Sequence, residues 1–469
     1  MKKYKKLLIN ILIFGIGGFG QKIFSFFLIP LYTSCLSTQE FGTFDLVVNI
    51  VQLFFPILNL SIHDAVLSFA LDKKNDSAIV CKIGAWYDII SFGIFLCGTI
   101  LLSHFRIIQL NNTYLVFMCV LYFVHLWNLY FAIVAKIHNK IILLSIAGLC
   151  NTLTYLILSI LFLKSWSWGI NGYMLAYVSG IFVSMVVLLI GLCENKFFGR
   201  EYDKVISAQM RRFSSPLILN QAAWWINNVS DRYMITWLSG VHMNGIYAVA
   251  YRIPNILSVC QSFITQAWSI SAIEEHDDEQ SVVYYSKVFS IYTFLLSTGA
   301  SILIALNNTL AKLLFRNDFL EAGLYVPILL LAVLYSGISY FLGSILVAEK
   351  DSIRIMISTI VGAVSNIILN ILLIPIMSIY GAAIATLVSN FVMVLIRLII
   401  LYKRKCININ IPKQLILNFI MLVQIVINRK YGIFQICLLI VIIAINYDLI
   451  YEVYSKGKDF LWKVKRKSL

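Results

Sequence analysis

The chain has 469 residues, 60% of them hydrophobic and 13% charged, where an average soluble domain carries about 25% charged residues; that balance excludes an ordinary water-soluble enzyme. Mean hydropathy is +0.86 and apolar runs recur from Leu7 to Tyr451, the pattern of an all-α polytopic membrane protein. A formal charge of +15 would suggest nucleic acid in a soluble protein, but here Lys and Arg fill the gaps between apolar runs. Topology accounts for them, and no nucleic-acid partner is expected.

In chain order the expected spans are Leu7–Pro30, Thr43–Ala70, Gly84–Ser103, Tyr114–Ala135, Ile141–Leu163, Ile170–Cys193, Phe213–Leu238, Gly245–Ile270, Val288–Leu306, Leu324–Ala348, Ile355–Ile374, Gly381–Tyr402, Gln414–Ile427 and Ile433–Tyr451. Most approach the roughly 20 residues that cross a hydrocarbon core, so about 14 transmembrane helices are expected. The start, Met-Lys-Lys-Tyr-Lys-Lys and an apolar run, mimics a signal peptide. Because that run carries Lys22 and continues to Pro30, it reads as a retained first span. Gln414–Ile427 is short and carries Asn418 and Gln424, so twelve spans with a re-entrant pair remain an alternative to fourteen.

Of the 37 Lys and Arg, only Arg106, Lys164, Lys312, Arg316, Arg429 and Lys430 fall in one set of alternate loops, and Lys22, Arg232, Arg252 and Arg397 fall inside spans. All the others lie on the opposite side, with both termini, which places both ends in the cytoplasm. The loops are too short for a separate catalytic domain, which usually needs about 50 residues or more. The chain therefore divides into a six-helix bundle over 1–193, a cytoplasmic interfacial linker helix over 194–212, a second six-helix bundle over 213–402, and an additional helix pair with a basic tail over 403–469.

The two bundles echo each other. Leu36-Ser37 followed by Gly42-Thr43-Phe44 has a counterpart in Leu238-Ser239 followed by Gly245-Ile246-Tyr247, an offset of 203 between the glycines. Gly172-Tyr-Met-Leu-Ala176 matches Gly381-Ala-Ala-Ile-Ala385 at an offset of 209. Both matches keep their direction through the membrane, so the bundles are expected to be pseudo-symmetric about an axis along the membrane normal.

Charged groups at mid-membrane cost roughly 2.5 to 3.5 kcal/mol on insertion scales and normally face a cavity or a partner. In the second span Asp45, Asn49, Gln52, Pro56, Asn59 and His63 step by three and four residues, along one helical face. The first span carries Asn10, Gln21, Lys22 and Ser25; the seventh Asn220, Trp224, Asn227, Asn228 and Asp231, beside Arg232; the eighth Tyr251, Arg252, Asn255 and Ser258. Four wet helices in equivalent pairs predict one central, water-filled cavity between the bundles. At about 1.5 Å per residue, Lys22 and Arg252 both sit about 10 to 12 Å below the outer surface, where they could hold one anionic headgroup or pair structurally, Lys22 with Asp45 and Arg252 with Asp231. Arg397, near an inner helix end, is expected to snorkel; Asp64 and Asp88, also near inner ends, read as gate groups or solvated charges. Pro56 and Pro254 are expected to kink their helices. Asp45, His63 and Asp231 are candidates for H+ or Na+ coupling, the imidazole because it titrates near neutral pH.

Nine scattered cysteines with no C-x-x-C read as packing residues. There is no Walker loop, H-E-x-x-H or G-x-S-x-G, so a transporter is expected, with no catalytic residue, metal or cofactor.

The stretch Gln21-Lys22, Pro30-Leu31-Tyr32-Thr33, Glu40-Phe41-Gly42, Asp45-Leu46, then Asp231-Arg232, Gly245-Ile246-Tyr247, Arg252 and Tyr380-Gly381-Ala-Ala-Ile-Ala385 resembles the Wzx-type polysaccharide (O-antigen) flippases, from about Leu7 to Tyr402. The resemblance implies the fold of the multidrug/oligosaccharidyl-lipid/polysaccharide exporter superfamily, two six-helix bundles forming a V around a central cavity. It implies transport of undecaprenyl-diphosphate-linked glycan, an O-antigen or other surface polysaccharide repeat unit, to the outer leaflet of the bacterial inner membrane. Polysaccharide polymerase and chain-length machinery are the implied partners. The more distantly similar lipid II flippases line their cavity with basic residues on the first and eighth helices and an acid at the start of the second, matched here by Lys22, Arg252 and Asp45. Their further arginines on the first two helices are not matched; their extra helix pair forms a lipid groove, and Gln414–Tyr451 lies in the equivalent place. A multidrug and toxin extrusion-type cation antiporter is the competing reading, opposed by the basic residues and supported by Asp45, Asp64, Asp88 and Asp231.

Overall fold

The computed structural model describes residues 26, 28–72, 75–105, 111–193, 202–276, 280–427 and 432–448, and every regular element among them is helical. Most of the first predicted span, with Gln21 and Lys22, and the basic tail beyond residue 448 lie outside the described residues. The helices are α1 (Ile29–Cys35), α2 (Thr38–Leu58), α3 (Ile62–Leu71), α4 (Ser77–His104), α5 (Asn112–Ile137), α6 (Ile141–Ile160), α7 (Gly169–Leu192), α8 (Lys204–Ser239), α9 (Val241–Ala250), α10 (Pro254–Glu274), α11 (Ser281–Leu314), α12 (Val326–Ala348), α13 (Ser352–Met377), α14 (Ile379–Lys403), α15 (Ile411–Ile427) and α16 (Gly432–Ile445). A π-turn over Leu161–Ser165 extends α6, and a 3-10 segment, Asn317–Leu324, precedes α12. Among the described residues ten helices are long and apolar enough to cross a membrane.

Their starts follow from capping chemistry, since the first N–H groups of a helix need acceptors from outside it. Ser37 and Glu40 form a reciprocal capping box at α2, with the Ser37 N–H donating to Glu40 Oε2 at 2.9 Å. Asp76, Asp203 and Asp351 accept backbone N–H groups at the starts of α4, α8 and α13. Asp351 also holds Arg354 and Arg404 at 2.7 and 2.6 Å; the Arg354 amide, then its guanidinium, keeps this carboxyl below the ordinary carboxylate range.

Two expected spans are broken. The second runs as α2 and α3 with a turn at Asn59–Ser61, where Leu60 and Ser61 take φ of 56° and 50°. Leu60 N–H donates to Ile57 O at 3.3 Å and Ser61 N–H to Pro56 O at 2.9 Å, the paired bonds of a Schellman cap. The eighth is interrupted at Tyr251–Ile253, after which Pro254 opens α10, a position that suits proline because the missing N–H would be unsatisfied there anyway. Both prolines thus stand beside discontinuities sharper than the expected kinks.

Other features also depart from the expectation. The described part of the linker is not a separate element: residues 204–212 are the first turns of the 36-residue α8, which continues through the seventh span. Arg397 does not snorkel. It is 5% exposed, and its guanidinium donates to Ser358 Oγ at 2.9 Å, Thr359 Oγ1 at 2.9 Å and Ser339 O at 2.6 Å. The residue stands more than a turn inside α14, and Gly343, whose missing side chain leaves that space open, faces the guanidinium. The described parts of α15 and α16, with 17 and 14 residues, measure about 25 and 21 Å. They are joined by a reciprocal pair of bonds, Gln435 Nε2 to Gln424 O at 2.8 Å and Gln424 Nε2 to Gln435 O at 3.4 Å.

The helices form two units. One holds the described residues up to Ala248 with Arg316–Phe319; the other holds Val249–Phe315 and the described residues from Leu320 onward. In the first, α3 to α8 enclose an apolar core around Ile62, Val66, Tyr130, Val134, Leu188 and Met210. Tyr32, Phe41, Phe44 and Tyr173 form an aromatic group of their own, with Tyr32 stacked on Phe41 at 4.7 Å and Phe44 edge-on to Tyr173 at 4.9 Å. In the second, α12 is the most buried helix, gripped by Trp268, which stacks on Phe341 at 4.2 Å and donates to its carbonyl at 3.1 Å. α15 and α16 pack against α11, where Gln414 Nε2 donates to Thr293 Oγ1 at 3.2 Å.

Candidate functional site

Apolar helices seldom carry charge, so the bonds made by the few charged side chains show where solvent or a ligand is replaced. In the first unit Asp45, on the second turn of α2, forms an ion pair with Arg232 of α8. Both are partly buried, with side chains 13% and 18% exposed. Asn49, one turn on, donates its amide to the Asp45 carboxylate at 3.2 Å and to its carbonyl at 2.7 Å. Trp225 donates to Asn49 O at 3.1 Å and Tyr233 to Leu46 O at 3.0 Å. Gln221 donates to Asp64 Oδ2 on α3 at 2.9 Å. Gln221, Trp225 and Arg232 are spaced by four and seven, one face of α8, and that face ties α8 to both parts of the broken span.

The predicted polar set is therefore divided. The expected partner of Asp45 was Lys22, which is not described; the described partner is Arg232. Asp231 is 4% exposed and accepts from Tyr247 Oη at 2.9 Å. Asp231 and Arg232 turn to different neighbours, as adjacent helical residues do. Gln52 is exposed, whereas Asn59, which ends α2, and His63, which follows the turn at Leu60 and Ser61, are buried in the unit; His63 therefore does not continue the helical phase of α2.

Asn59 and His63 converge on Asp88 of α4. Asn59 Nδ2 donates to Asp88 Oδ1, and His63 Nε2 lies 2.9 and 3.1 Å from the two carboxylate oxygens. All three are buried, Asp88 completely. Asn59 Oδ1 in turn accepts from Ile62 N–H at 3.0 Å, so one carboxylate holds the residue ending α2, which caps α3, and a residue in the first turn of α3. Asp88 is neither solvated nor a gate at the surface. His125 of α5 is held near this group, with Phe55 edge-on to both imidazoles at 5.4 and 5.5 Å.

The glycines matched in the internal repeat meet. α2 and α9 cross backbone to backbone at Gly42 and Gly245, where a Cβ on Gly42 would meet Val241 O and one on Gly245 would meet Thr38 O. Asn244 Nδ2 donates to Gly42 O at 3.1 Å, and Thr38 bonds His242. Close approach through glycine is a usual device for packing helices in lipid.

In the second unit Arg252 lies in the turn between α9 and α10, half-buried, its N–H donating to Val249 O at 2.9 Å. Asn255, in the first turn of α10, is exposed. The backbones of Asn227 and Asn228 belong to α8, but their side chains, like Gln21 and Lys22, lie outside the described residues. Spacing alone did not reveal Trp225, Tyr233, Tyr247 or the role of Asp88; the heptad-related positions of Gln221, Trp225 and Arg232 were the available signal.

The α2–α8 ion pair supports a double-mutant test. Asp45→Ala or Arg232→Ala should each lower stability by about 1.5 to 3 kcal/mol, the range for hydrogen bonds to charged groups. Exchange of the two charges should recover part of that loss. Thermal unfolding of wild type, the two single alanine variants, the double alanine variant and the charge exchange in one detergent checks this, and additive losses in Asp45→Ala/Arg232→Ala would deny the coupling.

Residues 7–270 match the family described as polysaccharide biosynthesis protein. No curated protein matches the sequence. Among solved structures, a lipid II flippase, MurJ, in an inward closed conformation aligns over 94% of this chain and 99% of its own, with TM-score 0.72 and 15% identity. An inward-facing multidrug resistance MATE family transporter of the MOP superfamily aligns over 85% of this chain and 98% of its own, with TM-score 0.67 and 13% identity. A point mutant of the Vibrio cholerae MATE transporter VcmN aligns over 86% and 98%, with TM-score 0.59 and 13% identity. At these identities the likeness is one of fold.

Proposed function

The chain belongs to the polysaccharide biosynthesis protein family, and from that premise we propose that it is a flippase carrying undecaprenyl-diphosphate-linked oligosaccharide from the cytoplasmic to the outer leaflet of the bacterial inner membrane. The observation that carries this reading is the position of Arg252 in the break between α9 and α10. Non-helical backbone at membrane depth is tolerated where it is buried in protein or lines a water-filled cavity, and broken helices are where transporters commonly bind substrate. A guanidinium there suits phosphate, which accepts paired N–H donors.

In this reading Arg252 and Lys22 hold the diphosphate, which carries the only fixed charge common to all such cargo. Gln21, Asn49, Gln52, Asn227, Asn228 and Asn255 supply amides for glycan hydroxyls, while the polyprenyl chain stays in lipid. Asp45 and Arg232 neutralise one another beside the path, and Asp231 is positioned by Tyr247. The two halves rock about the site to give alternating access, with both termini cytoplasmic and the glycan polymerase and chain-length machinery as downstream partners. Coupling to H+ or Na+ would use Asp45, Asp231 or His63. No cofactor is invoked.

The test is deletion of the gene, with lipid-linked glycans quantified by mass spectrometry and assigned to a leaflet. Complete polyprenyl-diphosphate glycan should accumulate on the cytoplasmic side and be relieved by the wild-type chain. Arg252→Ala and Lys22→Ala should abolish export with the protein still in the membrane, and Lys22→Arg should partly restore it. Normal export by both alanine variants would remove the headgroup site. The fold shared with multidrug transporters sustains the second reading, a cation antiporter; unchanged lipid-linked glycan with altered dye efflux would select it.

A further inference from the structure

In the second unit, away from Arg252, a cavity of about 430 Å³ opens beside the C-terminal end of α11. That helix has 34 residues and is about 51 Å long, well beyond the roughly 30 Å hydrocarbon thickness, so its last turns stand at headgroup level. The cavity has two kinds of wall. Leu324, Ile328 and Val426 form an apolar side, and Val426 is 85% exposed, so that side is continuous with the lipid-facing surface. Lys312, Tyr380 and Asn307 form the polar side. Asn307 is 3% exposed; its Nδ2 donates to Gly323 O at 2.9 Å, while its Oδ1 is buried with no hydrogen-bond partner among the described residues. A buried acceptor of this kind is costly unless a donor reaches it.

A cation at the rim, an acceptor awaiting a donor and an apolar exit toward lipid describe an amphiphile whose head bears both a phosphate and a hydroxyl. We propose that the cavity binds the headgroup of a bilayer phospholipid of the phosphatidylglycerol type. Its phosphate faces the Lys312 ammonium, its glycerol hydroxyl donates to Asn307 Oδ1, and its acyl chains leave past Leu324, Ile328 and Val426. Phosphatidylcholine supplies the phosphate but no hydroxyl donor, and its quaternary ammonium sits against the lysine. α15 contributes Val426 to the wall, which gives the C-terminal helices a part in holding lipid. The site goes beyond the transport reading and does not depend on it.

The test uses the full chain in detergent and native mass spectrometry with dioleoyl phosphatidylglycerol or dioleoyl phosphatidylcholine. Wild type should retain the phosphatidylglycerol adduct at on the order of tenfold lower lipid concentration, the scale of one charge-assisted hydrogen bond. Lys312→Gln should remove that preference, Lys312→Arg should keep it, and Lys350→Gln, a charge removed from an exposed loop, should leave it intact. Equal retention of the two lipids by wild type, or an equal loss in Lys312→Gln and Lys350→Gln, would overturn the site. Displacement of the adduct by equimolar undecaprenyl phosphate would overturn the assignment to bilayer lipid and give the cavity to transported cargo, whereas an undisplaced adduct supports it. Export can fail or persist without altering any of these readings.

Discussion

Asp88→Leu is expected to lower the stability of the chain by about 3 to 5 kcal/mol, the range for removing one member of a buried pair. The carboxylate is fully buried and serves both His63 and Asn59, so its loss leaves two polar groups without a partner in an apolar unit. The triple change Asp88→Leu, His63→Leu, Asn59→Leu should recover much of the loss, because apolar replacement of a whole buried polar cluster is often close to neutral. Midpoints of thermal unfolding in one detergent decide it. A wild-type midpoint for Asp88→Leu would mean the cluster contributes nothing to the fold; a triple variant as unstable as the single would mean that the turn itself requires polar groups.

Gly245→Val is the other large expectation. A Cβ at Gly245 would coincide with the Thr38 carbonyl, and the nearest atoms belong to backbone, which cannot swing aside as a side-chain end does. Small-to-large changes in packed cores usually cost about 1 to 3 kcal/mol; here the helices must separate, so the loss should exceed that range and folded protein should be nearly absent from membranes. Gly98→Val is the control, since a Cβ there meets nothing within 4 Å. Fluorescence of a C-terminal fusion after size-exclusion chromatography measures both. A monodisperse Gly245→Val protein at wild-type yield would show that α2 and α9 can part.

The sequence carried the architecture because membrane helices announce themselves twice, by apolar length and by the basic residues between them. The predicted spans beyond the first correspond to helices, and the fold is shared with the flippase and multidrug transporters that align to it. The repeat was legible for a related reason. Gly42 and Gly245 were matched by spacing, and they stand where two backbones touch, which only glycine allows. Less legible was everything that depends on rotation about a helix axis. A stripe read at a constant 100° per residue carried Asp45 through His63 along one unbroken helix, but the turn at Leu60 and Ser61 starts α3 afresh, and His63 from beyond it joins Asn59 from before it on Asp88. Neither leucine nor serine is a usual left-handed residue, so no local signal marked the turn. Arg397 was misread because depth along a helix says nothing about which neighbours supply oxygens.

That same turn sets up a way to hold the protein still. A left-handed conformation costs an ordinary residue roughly 1 to 2 kcal/mol and costs glycine almost nothing, and the second span bears this penalty at both Leu60 and Ser61. The bent form therefore lies higher in energy than it need, and a straighter one correspondingly closer to it. Glycine at position 60 or 61 would deepen the bent well and alanine at both would leave it shallow. Glycine at either position, beside the Asp88 cluster, is thus a single change that would hold the helix in its bent shape.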